Sequence, residues 1–276
     1  MRQIDVLHRG REKVICCFEI DGVLVDPGPQ SCEETLLEAL GGERPQALLL
    51  THIHFDHAGA AGSLVRRWPD LDVYVHERGA PHMARPERLV ASAARLYGGE
   101  EGLRETWGDV VPVPEARMKV LSGGETVLGF KVQYTPGHAS HHVCYLHEAS
   151  GTAFVGDMAG VRIPPSDLTL APTPPPDVDV EGWERSLDAI AAWEPQTLAL
   201  THFGTSGDPP AQLQAVRESL RWQAELAGET DQEAFMAALH ERVVAGGPAE
   251  DVAAVEQAAP LDHLFLGLDR WHSKRG

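Results

Sequence analysis

The sequence is poor in basic residues, which restricts the partners that it can bind. Lys and Arg number 23 against 41 Asp and Glu, so the formal net charge is −18. A field of this sign repels the phosphate backbone of nucleic acids unless a local basic patch opposes it. We find no such patch apart from the short tail Lys274-Arg275. We therefore expect a small-molecule substrate and no nucleic acid among the partners.

Long apolar runs are also absent from the sequence. No run approaches the roughly 18 residues that a membrane-spanning helix needs. The first five residues, Met1-Arg2-Gln3-Ile4-Asp5, carry charges where a secretory signal has an apolar core. With 276 residues, of which 43% are hydrophobic, the chain can bury a large core. We expect a cytoplasmic protein without a membrane partner.

Cysteine is scarce, and its spacing argues against a disulfide framework. The four cysteines form no Cys-x-x-Cys pair, and two of them are neighbours in an apolar, strand-like run. A small disulfide-rich scaffold would instead need an even set of spaced pairs. We therefore expect reduced thiols in the core at Cys16, Cys17, Cys32 and Cys144.

Histidine, by contrast, is concentrated in one motif. The segment Thr51-His52-Ile53-His54-Phe55-Asp56-His57 directly follows the apolar run Ala47-Leu48-Leu49-Leu50. Side chains alternate in an extended segment, so His52 and His54 point the same way and can bind one ion through imidazole nitrogens. The last Asp and His of the motif stand where the chain turns into a helix, and they can reach a second ion. The alternative interpretation is a chance cluster of surface histidines.

Further donors follow other apolar, strand-like runs. His138 comes after residues 126–134, Asp157 after residues 152–155, and His202 after residues 197–200. Open sheets place binding groups beyond the carboxyl ends of their strands, so these side chains can converge with the first motif. The runs before residues 52 and 202 both close on Leu-Thr-His, which suggests two similar half-domains facing each other.

The donors exceed what one four-coordinate ion takes, which favours two ions. The predicted metal ligands are His52, His54, Asp56, His57, His138, Asp157 and His202. One ion would take His52, His54 and His138, and the other Asp56, His57 and His202, with Asp157 bridging and room for a shared hydroxide. Such a pair lowers the pKa of a bridging water and polarises a carbonyl or phosphoryl oxygen. We expect Zn, with Mn or Fe as the other ions that this donor set admits.

Three other segments are expected to serve this site. Asp26 ends an apolar strand and is either a turn former or an acceptor behind the ligands. Residues 78–110 are an Ala-, Arg- and Leu-rich insertion that we interpret as a lid. The six prolines within residues 164–176 indicate a semi-rigid rim, or alternatively a disordered linker.

The chain is expected to end in a helical extension. We assign residues 1–207 to a catalytic domain and residues 208–276 to helices with narrow apolar stripes. Such stripes need a partner, so the extension either packs on the catalytic domain or contributes to a homodimer surface. Within it, Thr230 and Glu233 form a predicted capping box.

In this order the motifs resemble the metallo-β-lactamase superfamily, and in particular its branch of hydroxyacylglutathione hydrolases (glyoxalase II). The resemblance covers roughly residues 3–205 and implies an α/β fold, the αββα four-layer sandwich, with a binuclear site. The matching elements are Asp26-Pro27-Gly28, Thr51-His52-Ile53-His54-Phe55-Asp56-His57, Thr135-Pro136-Gly137-His138, Gly156-Asp157 and Thr201-His202.

The departures from this branch concern the substrate. Where glyoxalase II enzymes tend to have Gly-His-Thr-x-Gly-His, this chain has Gly137-His138-Ala139-Ser140-His141-His142. The lysine and tyrosine used on glutathione are not evident after Asp157, and Gly160 stands where lactonases of the superfamily carry a tyrosine. The His141-His142 pair either places an imidazole near the site or begins the next strand.

The resulting hypothesis is a binuclear metallohydrolase that uses a metal-bridging hydroxide on a small ester, thioester or lactone. Asp56 and His142 are the predicted catalytic residues. The alternative is a mononuclear Fe(II) sulfur dioxygenase of the persulfide dioxygenase type, with iron at His52, His54 and His138. A third hypothesis is a non-catalytic module that retains the fold for binding.

Overall fold

The computed structural model describes residues 1–275, except for the side chains of residues 249 and 250. The chain divides into two compact units, and the second begins at Thr126. This division falls inside the stretch that the sequence assigns to the catalytic domain, so the boundary at residues 207/208 stays a prediction.

The first unit combines a six-stranded sheet with short helices. Its strands are β1 (Arg2–Asp5), β2 (Cys16–Ile20), β3 (Val23–Val25), β4 (Ala47–Leu49), β5 (Asp72–His76) and β6 (Met118–Leu121). Its α-helices are α1 (Glu33–Leu40), α2 (Phe55–Ala58), α3 (Ala61–Arg67), α4 (Ala80–Ala84), α5 (Glu87–Ala93) and α6 (Glu100–Trp107). The strands lie in sequence order across the sheet.

The first sheet changes from antiparallel to parallel pairing at β3. Strands β1, β2 and β3 pair antiparallel, whereas β3, β4, β5 and β6 pair parallel. The residues of β3 and β4 are all buried, as expected for parallel strands that are covered on both faces. The carboxyl ends of β3 and β4 therefore meet at one edge, where Asp26 and the histidine motif follow.

The sequence predicts one helix from Ser31, as its cap, to Leu40, ended by Gly41-Gly42, and a second helix near residues 58–68. The structure differs from both predictions in the bounds of the helices. The helix expected to begin at Ser31 begins at Glu33 without a side-chain cap, while Gly41, at φ 63°, ends it as predicted. The helix expected over residues 58–68 is split into α2 and α3. The Gly28 backbone accounts for the split, because it donates to the His57 carbonyl and accepts from the Ala60 amide.

The insertion between β5 and β6 forms α4, α5 and α6. It packs closely on α3, because a Cβ atom on Gly62 would lie 1.8 Å from the carbonyl oxygen of Val111. Apolar side chains of the insertion, including Met83 and Leu89, line a pocket with Ile53 and Phe55 of the histidine motif. The lid function of this segment stays a prediction.

The second unit also contains a six-stranded sheet, with its longest helices at the end of the chain. Its strands are β7 (Thr126–Val127), β8 (Phe130–Tyr134), β9 (Val143–His147), β10 (Thr152–Gly156), β11 (Thr197–Leu200) and β12 (Gly204–Ser206). Its α-helices are α7 (Val180–Ala191), α8 (Pro209–Glu229), α9 (Gln232–Gly246), α10 (Ala249–Ala258) and α11 (Leu261–Ser273).

The pairing of the second sheet brings three predicted donors to one edge. Strands β10 and β11 pair parallel, so Asp157 and His202 follow at the same end. Strand β9 runs antiparallel to both β8 and β10, which places the β8–β9 connection at that end too. His138 lies in this connection.

The helices after residue 208 pack on the preceding loop. The Gln212 side chain of α8 donates to the Ala159 carbonyl, and Ser166 donates to the Gly246 carbonyl at the end of α9. The proline-rich loop thus contacts these helices, and its role as a semi-rigid rim of the site stays a prediction. Helix α9 is capped by Asp231, not by the predicted Thr230, because the Asp231 carboxylate accepts from the Ala234 amide.

The cysteines and the lengths of the apolar helices bear on two further predictions. All four cysteines are buried and free, as expected. Burial raises the pKa of Cys32 to about 11, so this thiol is neutral near pH 7. Within residues 1–275, no helix combines the length and apolarity needed to cross a bilayer.

Candidate metal centre

In the first unit, Asp26 organises the predicted donors. Its Oδ1 accepts from the Thr51 amide at 2.8 Å, and its Oδ2 accepts from the Thr51 hydroxyl at 2.7 Å. Oδ2 lies 2.8 Å from His57 Nδ1. A carboxylate can only accept, so His57 carries its proton on Nδ1 and its lone pair on Nε2. Asp26 is thus a hydrogen-bond acceptor for a predicted ligand, His57. With φ at 50°, it is also a turn residue.

The orientation of His52 also depends on Asp26, through a hydroxyl. Thr51 Oγ1 lies 3.1 Å from His52 Nδ1. Because this hydroxyl donates its proton to Asp26, it can only accept from His52 Nδ1–H. His52 Nε2 therefore carries a lone pair.

His52 and His54 present their ligand atoms together. His52 Nε2 lies 2.9 Å from His54 Nδ1. In a tetrahedral site with Zn–N bonds of about 2.0–2.1 Å, two ligand nitrogens are about 3.3 Å apart. The two nitrogens are therefore close to the separation at which both can bind one ion.

The remaining donors of the motif lie beside this pair. The ligand atoms of His52 and His57 are within 4.8 Å of each other, and so are those of Asp56 and His57. Asp56 Oδ2 lies 3.6 Å from His57 Nε2. The Asp56 side chain is 20% exposed, whereas that of His57 is fully buried. The first unit thus brings together all four donors that the sequence predicts from it.

In the second unit, the Asp157 carboxylate lies between two imidazoles. Its Oδ2 is 3.3 Å from His138 Nε2, and its Oδ1 is 3.5 Å from His202 Nε2. All three side chains are buried. Each carboxylate oxygen thus faces a different histidine. The second unit brings together all three donors that the sequence predicts from it.

His138 is held by a carbonyl and by a tryptophan. Its Nδ1 lies 2.8 Å from the Pro172 carbonyl oxygen, which can only accept, so Nδ1 carries the proton. Its ring contacts Trp183 edge-on, with centroids 5.5 Å apart. Gly137, at φ 144°, permits this approach, because a Cβ atom there would lie 2.3 Å from the Trp183 backbone. Trp183 Nε1 also donates to the Met158 carbonyl, next to Asp157.

His142 lies behind His138 and is fully buried. The two ring centroids are 6.1 Å apart. Thr135 Oγ1 donates to Cys144 Sγ and lies 2.9 Å from His142 Nδ1. The hydroxyl therefore accepts from Nδ1–H, and the lone pair of the neutral ring is on Nε2. His141 is also buried.

Several residues that orient these donors carry no metal-ligand signal in the sequence. Thr51 stands out in the sequence only as part of a repeated Leu-Thr-His, and Trp183 is predicted only as an apolar position of an amphipathic helix over residues 179–193. The Pro172 carbonyl carries no side-chain signal at all. These residues act through backbone groups and hydroxyls, which metal-ligand spacing does not include.

The chemistry of both donor sets fits a divalent transition-metal ion. His57 and His138 each place Nδ1 on an oxygen acceptor, which is the usual second contact of a metal-binding imidazole. Imidazole and carboxylate donors without thiolates suit Zn, Mn or Fe.

A family model described as the metallo-beta-lactamase superfamily matches residues 19–202. The matched residues include every predicted ligand. The chain belongs to this superfamily. The α/β fold class of the metallo-β-lactamase type, with helices added at its end, is thereby confirmed.

Two curated relatives illustrate the similarity. Over 136 residues the chain is 32% identical to the hydroxyacylglutathione hydrolase of Xanthomonas euvesicatoria pv. vesicatoria (strain 85-10). That alignment covers 49% of this chain and only 40% of the relative's length. Over 209 residues it is 30% identical to the probable metallo-hydrolase YflN of Bacillus subtilis (strain 168), covering 65% of this chain and 74% of YflN.

Solved structures extend the comparison to most of the chain. An archaeal metallo-beta-lactamase superfamily protein from Sulfolobus tokodaii matches with a TM-score of 0.65 and 21% identity, covering 91% of this chain and 93% of its own. At that identity the likeness concerns the fold. The protein TTHA1623, solved in a di-iron-bound form, matches with a TM-score of 0.55 and 26% identity, covering 73% of this chain and 93% of its own.

Proposed function

We propose that this protein is a binuclear metallohydrolase acting on a small ester, thioester or lactone. The observation that carries the proposal is the same in each unit: a buried imidazole has Nδ1 on an oxygen acceptor, and its Nε2 faces a carboxylate of the predicted ligand set. His57 on Asp26 and His138 on the Pro172 carbonyl are the two direct instances. His142 and His147 also have Nδ1 beside a hydroxyl oxygen, so the carboxylate at Nε2 is what distinguishes His57 and His138.

The ligand assignment is the one that the sequence predicts. His52, His54 and His138 would hold one ion, Asp56, His57 and His202 the other, and Asp157 would serve both. Zn is the expected ion, and the di-iron form of TTHA1623 makes iron the first alternative. When bound, two such ions supply Lewis acidity and make water a nucleophile near neutral pH.

Two side chains are proposed to handle protons in the reaction. Water adds its oxygen to the acyl carbon, the bond from that carbon to the leaving oxygen or sulfur breaks, and one proton passes to the leaving group. Asp56, which is partly exposed, would take the proton from the attacking water. His142 would hold or return a proton at Nε2, because Thr135 occupies its Nδ1.

Three observations support the proposed substrate class: the similar proteins, the sequence differences from the glyoxalase II branch, and the net charge. The relatives named hydroxyacylglutathione hydrolase support an acyl-group substrate, but the chain spans less than half of their length. The absence of an evident lysine and tyrosine after Asp157 argues against glutathione recognition by the usual residues. A net charge of −18 disfavours polyanionic substrates such as nucleic acids.

Metal loading tests the proposal. The full chain is stripped with a chelator, titrated with Zn or Mn, and assayed for bound metal and for hydrolysis of an aryl ester, a thioester and a lactone. We expect about two ions per chain and metal-dependent turnover. His52→Ala and His202→Ala should each lower the bound metal and reduce kcat/KM at least 100-fold. The control is His82→Ala, which removes an exposed histidine outside the ligand set.

Two outcomes would contradict the proposal. If neither metal binds and neither restores hydrolysis, the hydrolase hypothesis is wrong. If one iron binds per chain and oxygen is consumed with glutathione persulfide, the sulfur dioxygenase is correct instead. Cytoplasmic location and a homodimer surface on the helical extension stay predictions from the sequence.

A further inference from the structure

The Pro172 carbonyl that orients His138 belongs to a short buried stretch, Ala171-Pro172-Thr173, which we term the anchor segment. Ala171 and Thr173 are both 0% exposed. The segment lies outside the named strands of the second unit, although the preceding Leu170 forms an isolated backbone bridge with Val161. Hydrogen bonds that involve a side chain connect Ala171 and Thr173 to the helices at the end of the chain.

Helix α8 holds the first residue of the anchor segment through Gln223. The Gln223 side-chain amide donates to the Ala171 carbonyl at 2.9 Å and accepts from the Ala171 amide at 2.9 Å. Ser219, one turn earlier, donates to Gln223 Oε1 at 2.8 Å. Gln223 thus pairs with Ala171 as a neighbouring strand would. A buried amide is costly unless it is hydrogen-bonded, and here both of its polar atoms are used.

Helix α11 holds the third residue of the anchor segment. The Thr173 hydroxyl donates to the Leu264 carbonyl at 3.0 Å. Gly267 lies directly against the Thr173 backbone, because a Cβ atom there would be 1.9 Å from the Thr173 carbonyl oxygen. Only glycine allows this approach without displacement of the segment.

We propose that helices α8 and α11 are positioning elements for His138. Gln223 and Gly267 keep the Pro172 carbonyl at 2.8 Å from His138 Nδ1, and this contact keeps the proton on Nδ1 and the lone pair on Nε2. The inference rests on the proposed function insofar as it treats His138 as a metal ligand. It assigns the helical extension a role in metal binding, beyond that of covering apolar surface.

The geometry explains why the effect would reach the metal. A hydrogen bond weakens steeply once donor and acceptor separate beyond about 3.2 Å, so a shift of about half an ångström in the anchor segment suffices. Loss of the second contact of a ligating histidine typically lowers metal affinity 10-fold to 100-fold. Gln223 and Gly267 act one step further away, so we expect about 10-fold.

The test measures Zn²⁺ affinity of the full chain by competition with a chromophoric chelator. Gln223→Met keeps the size of the side chain but removes both bonds to Ala171, and Gly267→Ala inserts a methyl group against Thr173. Both should bind Zn²⁺ about 10-fold more weakly. In the metal-free protein, ¹⁵N spectra of the histidine rings should show a smaller Nδ1–H fraction for His138, identified by its loss in His138→Gln.

A matched variant separates positioning from general loss of stability. Leu239→Ala truncates a fully buried side chain of α9, in the same set of helices, and an aliphatic side chain offers the anchor segment no hydrogen bond. It should lower Tm at least as much as Gln223→Met while leaving Zn²⁺ affinity within twofold of the original. If Gln223→Met does not fold, Ser219→Ala, which removes only the hydroxyl, should weaken Zn²⁺ binding about threefold.

The outcomes distinguish this inference from the proposed function. If His138→Gln binds Zn²⁺ as the original chain does, the ligand assignment of the proposed function is wrong. If His138→Gln weakens binding but Gln223→Met and Gly267→Ala do not, only the positioning role is overturned. Equal weakening in Leu239→Ala would overturn it as well, because stability alone would then account for the effect.

Discussion

The two units close a strand on the same tripeptide, Leu-Thr-His, but orient their donors by different means. In the first unit a single buried carboxylate, Asp26, accepts from Thr51 and from His57. In the second unit a neutral backbone carbonyl, that of Pro172, accepts from His138. The first support comes from the end of the adjacent strand of the same sheet, whereas we infer that the second depends on helices about 50 and about 90 residues further along the chain.

The difference shows that one ligand pattern tolerates two kinds of support. A hydrogen bond to a charged acceptor contributes about 1.5–3 kcal/mol, and one to a neutral acceptor about 0.5–1.5 kcal/mol. In the first unit, therefore, most of the free energy that orients the predicted ligands comes from hydrogen bonds to one side chain, that of Asp26. The second distributes it over several weaker contacts, so single substitutions there should have smaller effects.

Replacing the central carboxylate should have the largest effect. Asp26→Asn retains the shape but presents an amide donor to groups that already donate, so at least one buried contact of Thr51 or His57 is lost. We expect the free energy of unfolding to fall by about 3 kcal/mol and metal affinity to fall 10-fold to 100-fold. Chemical denaturation of the chelated protein and chelator competition measure the two quantities.

The control for this prediction is another carboxylate of the first unit. Asp5 accepts from the amides of Leu7 and Lys13, away from the donors. Asp5→Asn should lower stability by about 1 kcal/mol and leave metal affinity unchanged. Equal loss of affinity in Asp5→Asn and Asp26→Asn would show that Asp26 acts only on stability.

Thr51 and Thr135 each accept a hydrogen bond from a histidine, but we expect the first to affect metal affinity and the second to affect kcat. The Thr51 hydroxyl accepts from His52, a predicted ligand, and the Thr135 hydroxyl accepts from His142, a predicted proton carrier. Thr51→Val should lower metal affinity about 10-fold. Thr135→Val should leave metal affinity unchanged and lower kcat about 10-fold on an aryl ester. Each should cost about 1 kcal/mol of stability.

The measurement is a pair of metal titrations with kcat determined at saturating metal. If Thr135→Val weakened metal binding as much as Thr51→Val, His142 would belong to the support of the ligands. An unchanged kcat in Thr135→Val would remove the reason to assign His142 a catalytic role.

The smallest effect is expected at His76. This histidine is the last residue of the parallel strand β5 and lies outside the predicted ligand set. Burial lowers the pKa of His76, against an opposing contribution from Glu77. The unfolded chain therefore takes up a proton below about pH 6.5 that folded His76 does not. The free energy of unfolding should fall as the pH drops through this window. His76→Gln should make the pH dependence of the metal-free protein shallower between pH 5 and 7.

This prediction is checked by denaturation at a series of pH values in the presence of a chelator. An identical slope in His76→Gln would mean that other groups account for the acid sensitivity. His76 also sharpens the comparison between strand ends, because its Nδ1 accepts from the Arg78 amide, whereas Nδ1 of His57 donates to Asp26.

Several features of the candidate centre could be predicted because they are local. Strand β4 and the donors after it follow from an apolar run and from the spacing of His52, His54, Asp56 and His57. Gly41 predicts the end of α1, because only a residue tolerant of positive φ fits there. The split between α2 and α3 could not be predicted, since it depends on backbone pairing with Gly28, about 30 residues earlier.

The sequence by itself determined which side chains are available as donors and which class of ion they suit, because ligand chemistry is a property of residue type. It also determined the family, through the order of the motifs. Only the tertiary structure decided how the imidazoles are oriented. That orientation depends on groups with no sequence signature of metal binding, such as the Pro172 carbonyl, the Thr51 hydroxyl and the Gln223 amide. These groups reach the donors only when distant segments pack, since a hydrogen bond requires contact in space and not proximity along the chain.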